Sequence, residues 1–466
     1  MSKISPFSLM SLLLIPGLMF LFCSGEALRP STSYADYPDM KMNATPNPVG
    51  SGARAMGLGG AFISVADDAT AASWNPAGLL QLTKPEFSVA GSWFSGRIDY
   101  QPSEISGDGR ATDLSPDIFH LNYASLTLPF VLARRNMVFS LNYQHLYEFS
   151  MDNLYTWTTE NKETLVDTPQ EAYKSQRGSL NTLSPALAFQ VTPSLYVGLT
   201  ANFWPGDIID NGWENLNIID GEGITYGRKT KIHTEFYERY SFSGFNLHLG
   251  FLYTSNFFSW WGRRRLFRIG GVVKTPFKAD IDHEHREVFY EEYPENPVLN
   301  SYVESSITNH LTLKMPLSYG LGASLDISDS FSISLDCYRT HWEKYLIRYP
   351  SGREYSPISR KPKEKAHIKP TTQIRMGLEY LIQRPERIIP LRAGAFYDPE
   401  PAEGSPDDFF GVSLGTGISY RGLFSLDGVY QYRFGRRKEA ESMQGEKIPG
   451  HISQHYLTLS LIYYLF

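Results

Sequence analysis

From Lys84-Pro85 to its end, this chain alternates apolar and polar side chains in a way that only extended backbone turns into two separate faces. Ile374, Met376, Leu378 and Tyr380 share one side of a strand, and Arg375, Gly377 and Glu379 share the other. Leu391, Ala393, Ala395 and Tyr397 likewise oppose Arg392, while Leu426, Tyr430, Tyr432 and Phe434 oppose Asp427, Gln431 and Arg433. Phe331, Ile333, Leu335 and Cys337 oppose Ser332, Ser334 and Asp336. Segments of this period fall near 86–98, 118–130, 136–150, 178–191, 194–204, 234–255, 266–282, 304–326, 330–344, 370–382, 389–398, 408–420, 423–435 and 452–466. They amount to about fourteen strands of membrane-crossing length, an even number as bacterial single-chain barrels require.

The connections between these strands alternate long and short. Residues 99–117, 151–177, 205–233 and 436–451 are long, whereas 131–135, Thr192-Pro193 and Arg421-Gly422 are short. Outer-membrane barrels keep short turns on the periplasmic side and long loops outside. One longer turn, Ser255 to Arg265, is expected on the periplasmic side, with Phe257, Phe258, Trp260 and Trp261 suited to the membrane interface and Arg263, Arg264 and Arg265 suited to anionic headgroups of outer-membrane lipid or to phosphates. The fold expected is all-β, a transmembrane antiparallel β-barrel over 85–466. A charge facing lipid at mid-bilayer costs about 2–4 kcal/mol. Asp336, Arg375, Glu379, Arg392, Asp427 and Arg433 are therefore expected to face the lumen, either pairing with one another to brace the wall or meeting a substrate.

A barrel this wide is not filled by its own side chains. Residues 28–84 precede the first strand and lack its alternation; 50–80 are rich in Gly and Ala and close on Asn75-Pro76-Ala77-Gly78, a turn signal. They are read as an N-terminal hatch, or plug, in which Gly57, Gly59 and Gly60 allow close packing. Pro76 fixes its own φ and biases Asn75 toward extended backbone, while the Asn75 amide holds the turn. Asp67 and Asp68 are read as a cap or hydrogen bond within the plug rather than a calcium site, because the surrounding oxygen ligands are missing.

Residues 1–27 carry a positive start at Lys3, an apolar run from Leu12 to Phe22 and a small-x-small site at Gly25-Glu26-Ala27, the pattern of a secretory signal peptide. Cleavage there leaves Cys337 alone, so no intrachain disulfide is expected. Aromatic content is 14% while mean hydropathy is only −0.28, which fits strands rather than membrane helices. The net charge of −6 with no basic block argues against nucleic acid as a partner. The chain ends Leu457-Thr-Leu-Ser-Leu-Ile-Tyr-Tyr-Leu-Phe466, similar to the terminal signal read by the barrel-assembly machinery of Gram-negative outer membranes. With the plug ahead of the first strand, both termini are expected in the periplasm.

Three groups of residues resemble the FadL-type outer-membrane transporters of long-chain fatty acids and hydrocarbons. Gly57-Leu-Gly-Gly60, Ala66-Asp-Asp-Ala69 and Asn75-Pro-Ala-Gly78 are similar to that family's hatch. Met315-Pro-Leu-Ser-Tyr-Gly-Leu-Gly-Ala-Ser324 with Leu335-Asp-Cys-Tyr-Arg-Thr-His-Trp342 is similar to one of its strand pairs. Pro390-Leu-Arg-Ala-Gly394, Tyr397-Asp-Pro399, Gly415-Thr-Gly417 and Asp427-Gly-Val-Tyr-Gln-Tyr432 are similar to its C-terminal strands. A shorter likeness, mainly in the plug, extends to PorV-like proteins that serve secretion as adaptors. The resemblance implies passive entry of a hydrophobic compound through a plugged barrel without cofactor or chemistry. The alternatives are a PorV-like adaptor or a structural barrel.

No arrangement of nucleophile and base points to an enzyme. Asp282-His283-Glu284-His285 puts two histidines on one face of an extended segment, but two nitrogen ligands do not define a metal site. The segment is expected in an outer loop as solvated charge, and no metal is assigned.

Overall fold

The computed structural model describes Pro48 and residues 50–465 apart from 101–109, 115–116, 162–165, 207, 210, 261–262 and 442–446. The expected signal segment, the first part of the plug and Phe466 lie outside the described residues.

Twenty-one strands among the described residues join in one sheet. In chain order they are β1 (Glu86–Tyr100), β2 (Arg110–Leu114), β3 (Ile118–Leu132), β4 (Arg135–Glu148), β5 (Met151–Asn161), β6 (Val166–Thr192), β7 (Leu195–Trp204), β8 (Gly212–Thr225), β9 (Arg228–Trp260), β10 (Arg263–Lys274) and β11 (Phe277–Glu292). Then come β12 (Ser301–Met315), β13 (Ser318–Asp326), β14 (Phe331–Thr340), β15 (Leu346–Arg348), β16 (Glu354–Tyr355), β17 (Thr371–Gln383), β18 (Arg387–Tyr397), β19 (Phe409–Tyr420), β20 (Phe424–Glu441) and β21 (Lys447–Tyr464).

Fourteen of these strands close a ring by antiparallel pairing. From β1 the order runs β3, β4, β6, β7, β9, β10, β13, β14, β17, β18, β19, β20, β21 and back to β1. The first and last strands meet through Glu86 opposite Tyr464, at the end of the barrel that carries the short turns. Closure leaves the ring no free edge, as a span through lipid demands. The period-two pattern sorts side chains as expected: Leu335 is 52% exposed on the outer face while its neighbour Asp336 is wholly buried on the inner one.

The remaining strands build a second layer beyond one end of the ring. There β2, β5, the start of β6, β8, the start of β9, β11, β12, β15 and β16 pair in succession. The long connections 151–177 and 205–233, expected as loops, are therefore largely strand. Strands continuing past the membrane keep the same two-residue period, so the pattern carries no boundary.

Two expected strands, 266–282 and 304–326, are each broken, at Thr275-Pro276 and at Pro316-Leu317. Proline has no N–H for the ladder, and the chain leaves the wall there. The β11–β12 hairpin joins the outer layer while β10 pairs directly with β13. The expected long turn Ser255–Arg265 is also corrected: the ladder of β9 and β10 extends to Trp260 opposite Arg263, because its aromatic residues favour strand. The expected strand 330–344 ends at Thr340, before a 3-10 turn at Trp342–Lys344.

Inside the ring lies the compact segment 50–84, with α1 (Ala53–Gly57), α2 (Ala71–Trp74) and a 3-10 turn, Pro76–Gln81. It crosses the lumen, since α1 touches β18 to β21 and the 3-10 turn touches β4, β6, β7 and β9 on the other side. Plug residues Met56, Leu58, Phe62, Trp74 and Leu79 share an apolar cluster with wall residues Val138, Ala186, Ala188 and Val429. A second cluster, of Trp204, Trp213, Tyr240, Phe242, Trp342 and Tyr345 among others, fills the space under the outer layer.

Candidate functional site: the plug seat and the cavity above it

Asn75 is the node of the first seat. Its Nδ2 donates to the Ile63 carbonyl within the plug at 2.8 Å and to the Phe251 carbonyl of β9 at 2.9 Å, and its Oδ1 accepts from the Ala77 N–H at 3.2 Å. Asn75 is extended (φ −151°, ψ 103°), as a residue before proline should be, and Pro76 opens the 3-10 turn where no backbone donor is missed. Asn75 and Ala77 are wholly buried. The wall beneath them is paved with glycine: Gly198 of β7 lies directly opposite Gly250 of β9. A Cβ on Gly250 would stand 2.1 Å from Asn75 Oδ1, and one on Gly198 2.3 Å from the Pro76 carbonyl carbon. Gly78 packs within the plug instead, where a Cβ would meet the Ala66 carbonyl oxygen at 2.2 Å.

The second seat holds the turn after α1. Asp336 Oδ2 accepts from the Phe62 and Ile63 N–H groups at 2.7 and 2.8 Å. Ser413 Oγ accepts from the Gly59 N–H at 3.1 Å and donates to the Gly57 carbonyl at 3.0 Å. Arg375 Nη1 donates to the Gly59 carbonyl at 3.3 Å. Gly59 and Gly60 have φ of 65° and 77°, where a side chain is strained, and paired wall glycines Gly377 and Gly394 make room for Leu58 and Gly59. A Cβ on Gly57 would meet the Arg392 side chain at 3.3 Å.

Charged groups tie the seats together. Arg54 of α1 bridges Asp67 within the plug at 2.6 Å and Glu379 of the wall at 3.2 Å. Glu379 also accepts from Arg392 at 2.7 Å, and Arg392 donates to Asp427 at 2.5 Å. Arg433 pairs with Asp398 at 3.1 Å and Glu400 at 2.9 Å and donates to Gln454 at 2.7 Å. All six expected lumen residues thus sit on the inner face. Asp336, Arg375 and Glu379 touch the plug, Arg392 and Asp427 extend the Glu379 network, and Arg433 braces the wall beside it. Asp68 Oδ1 accepts from Thr70 N–H at 2.8 Å and from Thr70 Oγ1 at 2.6 Å, a local hydrogen-bonded turn ahead of α2.

Between plug and outer layer lies a cavity of about 110 Å³, far more than the ~10–15 Å³ that one water needs. Gly50, Ser51, Ser73 and Trp74 of the plug form its floor. Leu146, Tyr147, Trp204, Phe277, Met315 and Trp342 give an apolar side, while Asn246, His248, Lys274, Gln373 and Arg375 give a polar one. Among the described residues no carboxylate pairs with the Lys274 ammonium, which lies 5.8 Å from the centre of the Tyr338 ring. Arg375, by contrast, is shared with Asp398 at 3.4 Å. Of the expected lumen residues only Arg375 lines this cavity. Lys274, His248 and Trp204 were not singled out from the sequence; a lysine closing β10 just before Thr275-Pro276, where the chain leaves the wall, was the one signal available.

The pair His283 and His285, expected as solvated loop charge, is buried instead on the inner side of the outer layer, on β11. Asp282 and Glu284 of that stretch face out, and Asp282 lies 2.5 Å from the exposed His310. Burial lowers the His283 imidazole below its ordinary range against the pull of Glu238 on β9. Burial pushes the Glu238 carboxyl up, but the neighbouring His285 and His283 imidazoles outweigh it and leave it below the usual carboxylate range.

Residues 44–254 match a family model described as outer membrane protein transport protein (OMPP1/FadL/TodX). No curated protein matches the chain. Solved structures do: a Pseudomonas aeruginosa FadL homologue aligns at 14% identity over 91% of this chain and 100% of its own, with a TM-score of 0.58. The Ralstonia pickettii toluene transporter TbuX aligns at 13% identity over 90% of this chain and 99% of its own, with a TM-score of 0.51. The Pseudomonas putida toluene transporter TodX aligns at 13% identity over 89% and 99%, with a TM-score of 0.50. The resemblance read from the plug and strand motifs is met by the family signature over residues 44–254, and the chain as a whole shares the fold of these solved structures: it is a closed fourteen-strand antiparallel β-barrel similar to the FadL and TodX barrels.

Proposed function

We propose that this barrel passively admits a long apolar molecule with one anionic headgroup, a long-chain fatty acid being the simplest, and that residues 50–84 act as its gate. The carrying observation is Lys274, an ammonium facing a cavity with an aromatic side and no carboxylate partner among the described residues. A half-buried cation without a counter-ion favours a ligand that brings one. An aromatic cavity also suits hydrocarbons, the toluene carried by TbuX and TodX among them, but a hydrocarbon leaves Lys274 unpaired. In this reading the outer layer collects ligand, the cavity holds it above the plug, and movement at Asn75-Pro76 opens the way down. The short turns and both termini then lie in the periplasm, and the last strand is the handle for the barrel-assembly machinery. A secretion adaptor has no use for a cationic cavity beneath an outer layer.

The test is binding of oleate and of toluene to purified protein, followed by tryptophan fluorescence, in wild type and Lys274→Met. We expect the substitution to weaken oleate at least tenfold, about 1.4 kcal/mol, and to leave toluene unchanged or tighter. Equal oleate affinity in both proteins removes the carboxylate reading.

A further inference from the structure

We propose that Glu238, His283 and His285 form a binding site for a divalent transition-metal ion of the zinc class, which ties β9 to β11 in the outer layer. Regular backbone places all three donors. In the antiparallel register His285 lies opposite Glu238 and His283 opposite Tyr240, so the two histidines project from alternate positions on one face of β11 toward a carboxylate on the next strand.

The carboxylate is oriented for this task. Its Oε2 accepts from Tyr240 Oη at 3.1 Å and Asn215 Nδ2 at 3.2 Å, leaving Oε1 turned to the histidines. Oε1 lies 3.8 Å from His283 Nε2 and 3.6 Å from His285 Nδ1, and the three donor atoms lie within 4.8 Å of one another. Ligands at ordinary zinc bond lengths of about 2.0–2.1 Å stand about 3.3 Å apart in a tetrahedron, so small side-chain shifts complete the set. The His283 ring is fixed by stacking on Tyr240, with centroids 4.4 Å apart and planes 3° apart. Supports of this kind, which hold ligands rather than bind metal, are what oriented metal sites carry.

A simple ion pair explains the geometry less well. His283 Nε2 is buried, makes no hydrogen bond among the described residues, and is too far from Oε1 to form one. Two imidazole nitrogens and one carboxylate oxygen suit zinc, cobalt or nickel rather than calcium or magnesium, which take oxygen. Three protein donors leave a fourth position for water or a ligand group.

A second set, His120, His145 and Glu148, has the same composition but not the same geometry. Its rings stack 3.9 Å apart with planes only 21° apart, so an ion in the plane of one ring is out of the plane of the other. The His283 and His285 rings are tilted by 54° and are not stacked, so their donor nitrogens are not confined to parallel planes.

The experiment is a titration of the chelator-treated full chain, carrying no histidine tag and held in detergent, with Co²⁺ followed by visible absorption and with Zn²⁺ by calorimetry. Wild type is compared with His283→Ala/His285→Ala, with Glu238→Gln as the least disruptive variant, and with His120→Ala/His145→Ala. Heat-modified migration in gels checks that each barrel is folded. We expect one ion per chain, lost in the His283/His285 variant, weakened at least tenfold in Glu238→Gln and kept in the His120/His145 variant. Absence of binding in wild type, or a loss that follows His120 and His145 instead, overturns the assignment.

Discussion

The Asn75 carboxamide rests on Gly250 so closely that a single methyl there would stand 2.1 Å from Oδ1. Gly250→Ala is therefore expected to lift the last turn of the plug from the wall without unfolding the barrel, since the strand itself tolerates alanine. Planar-bilayer recordings check this: the variant should show higher or noisier conductance than wild type. A closed, silent variant would mean that the plug yields elsewhere.

Asn75→Ala/Pro76→Ala removes the two donated bonds to Ile63 and Phe251 and the fixed φ of the turn. Each buried carbonyl left unpaired costs about 1–3 kcal/mol. The double variant should remain heat-resistant in detergent at normal surface level, while uptake of a hydrophobic compound or leakage of small polar solutes changes. Unchanged values in both assays at equal surface level would make residues 50–84 passive filler.

Glu379→Gln cuts the link between Arg54 of the plug and Arg392 of the wall. Each arginine keeps one carboxylate, Asp67 or Asp427, so the cost should stay below the roughly 3–5 kcal/mol of an orphaned buried charge. A lowered midpoint of heat modification with barrel assembly preserved is the expected reading. The same midpoint as wild type would place the plug's hold in its hydrogen bonds alone.

Leu335 and Asp336 are neighbours on opposite faces of β14. Leu335→Lys puts a charge into lipid, at a cost of about 2–4 kcal/mol near mid-bilayer, and should reduce assembled barrel in outer-membrane fractions. Ser334→Lys, on the inner face, crowds the lumen instead and should disturb the plug more than insertion. Equal insertion of Leu335→Lys and wild type would contradict the assignment of faces.

Period two alone placed Asp336, Arg375, Glu379, Arg392, Asp427 and Arg433 on the inner face, because lipid leaves charged residues no other side. Asn75-Pro76 could be read as a turn because its constraint is local. Gly198 and Gly250 could not be read as a seat, since a missing side chain gains meaning only from what docks on it, and that partner lies far off in sequence. The outer layer was hidden for a related reason: a strand leaving the membrane keeps its alternation, and only Pro276 and Pro316 marked the exits. His283 and His285 looked solvated because Glu238, the group they face, comes from another strand. Lys274 stood out only once the cavity it faces was in view.

Uptake of a labelled long-chain fatty acid, by cells that have no transporter of their own and display this barrel, tests the central claim most directly. Wild type is compared with Lys274→Met and with empty vector at equal surface level. Uptake well above the empty vector that falls at least tenfold in Lys274→Met is the predicted result; uptake by wild type no greater than that of the empty vector would contradict it.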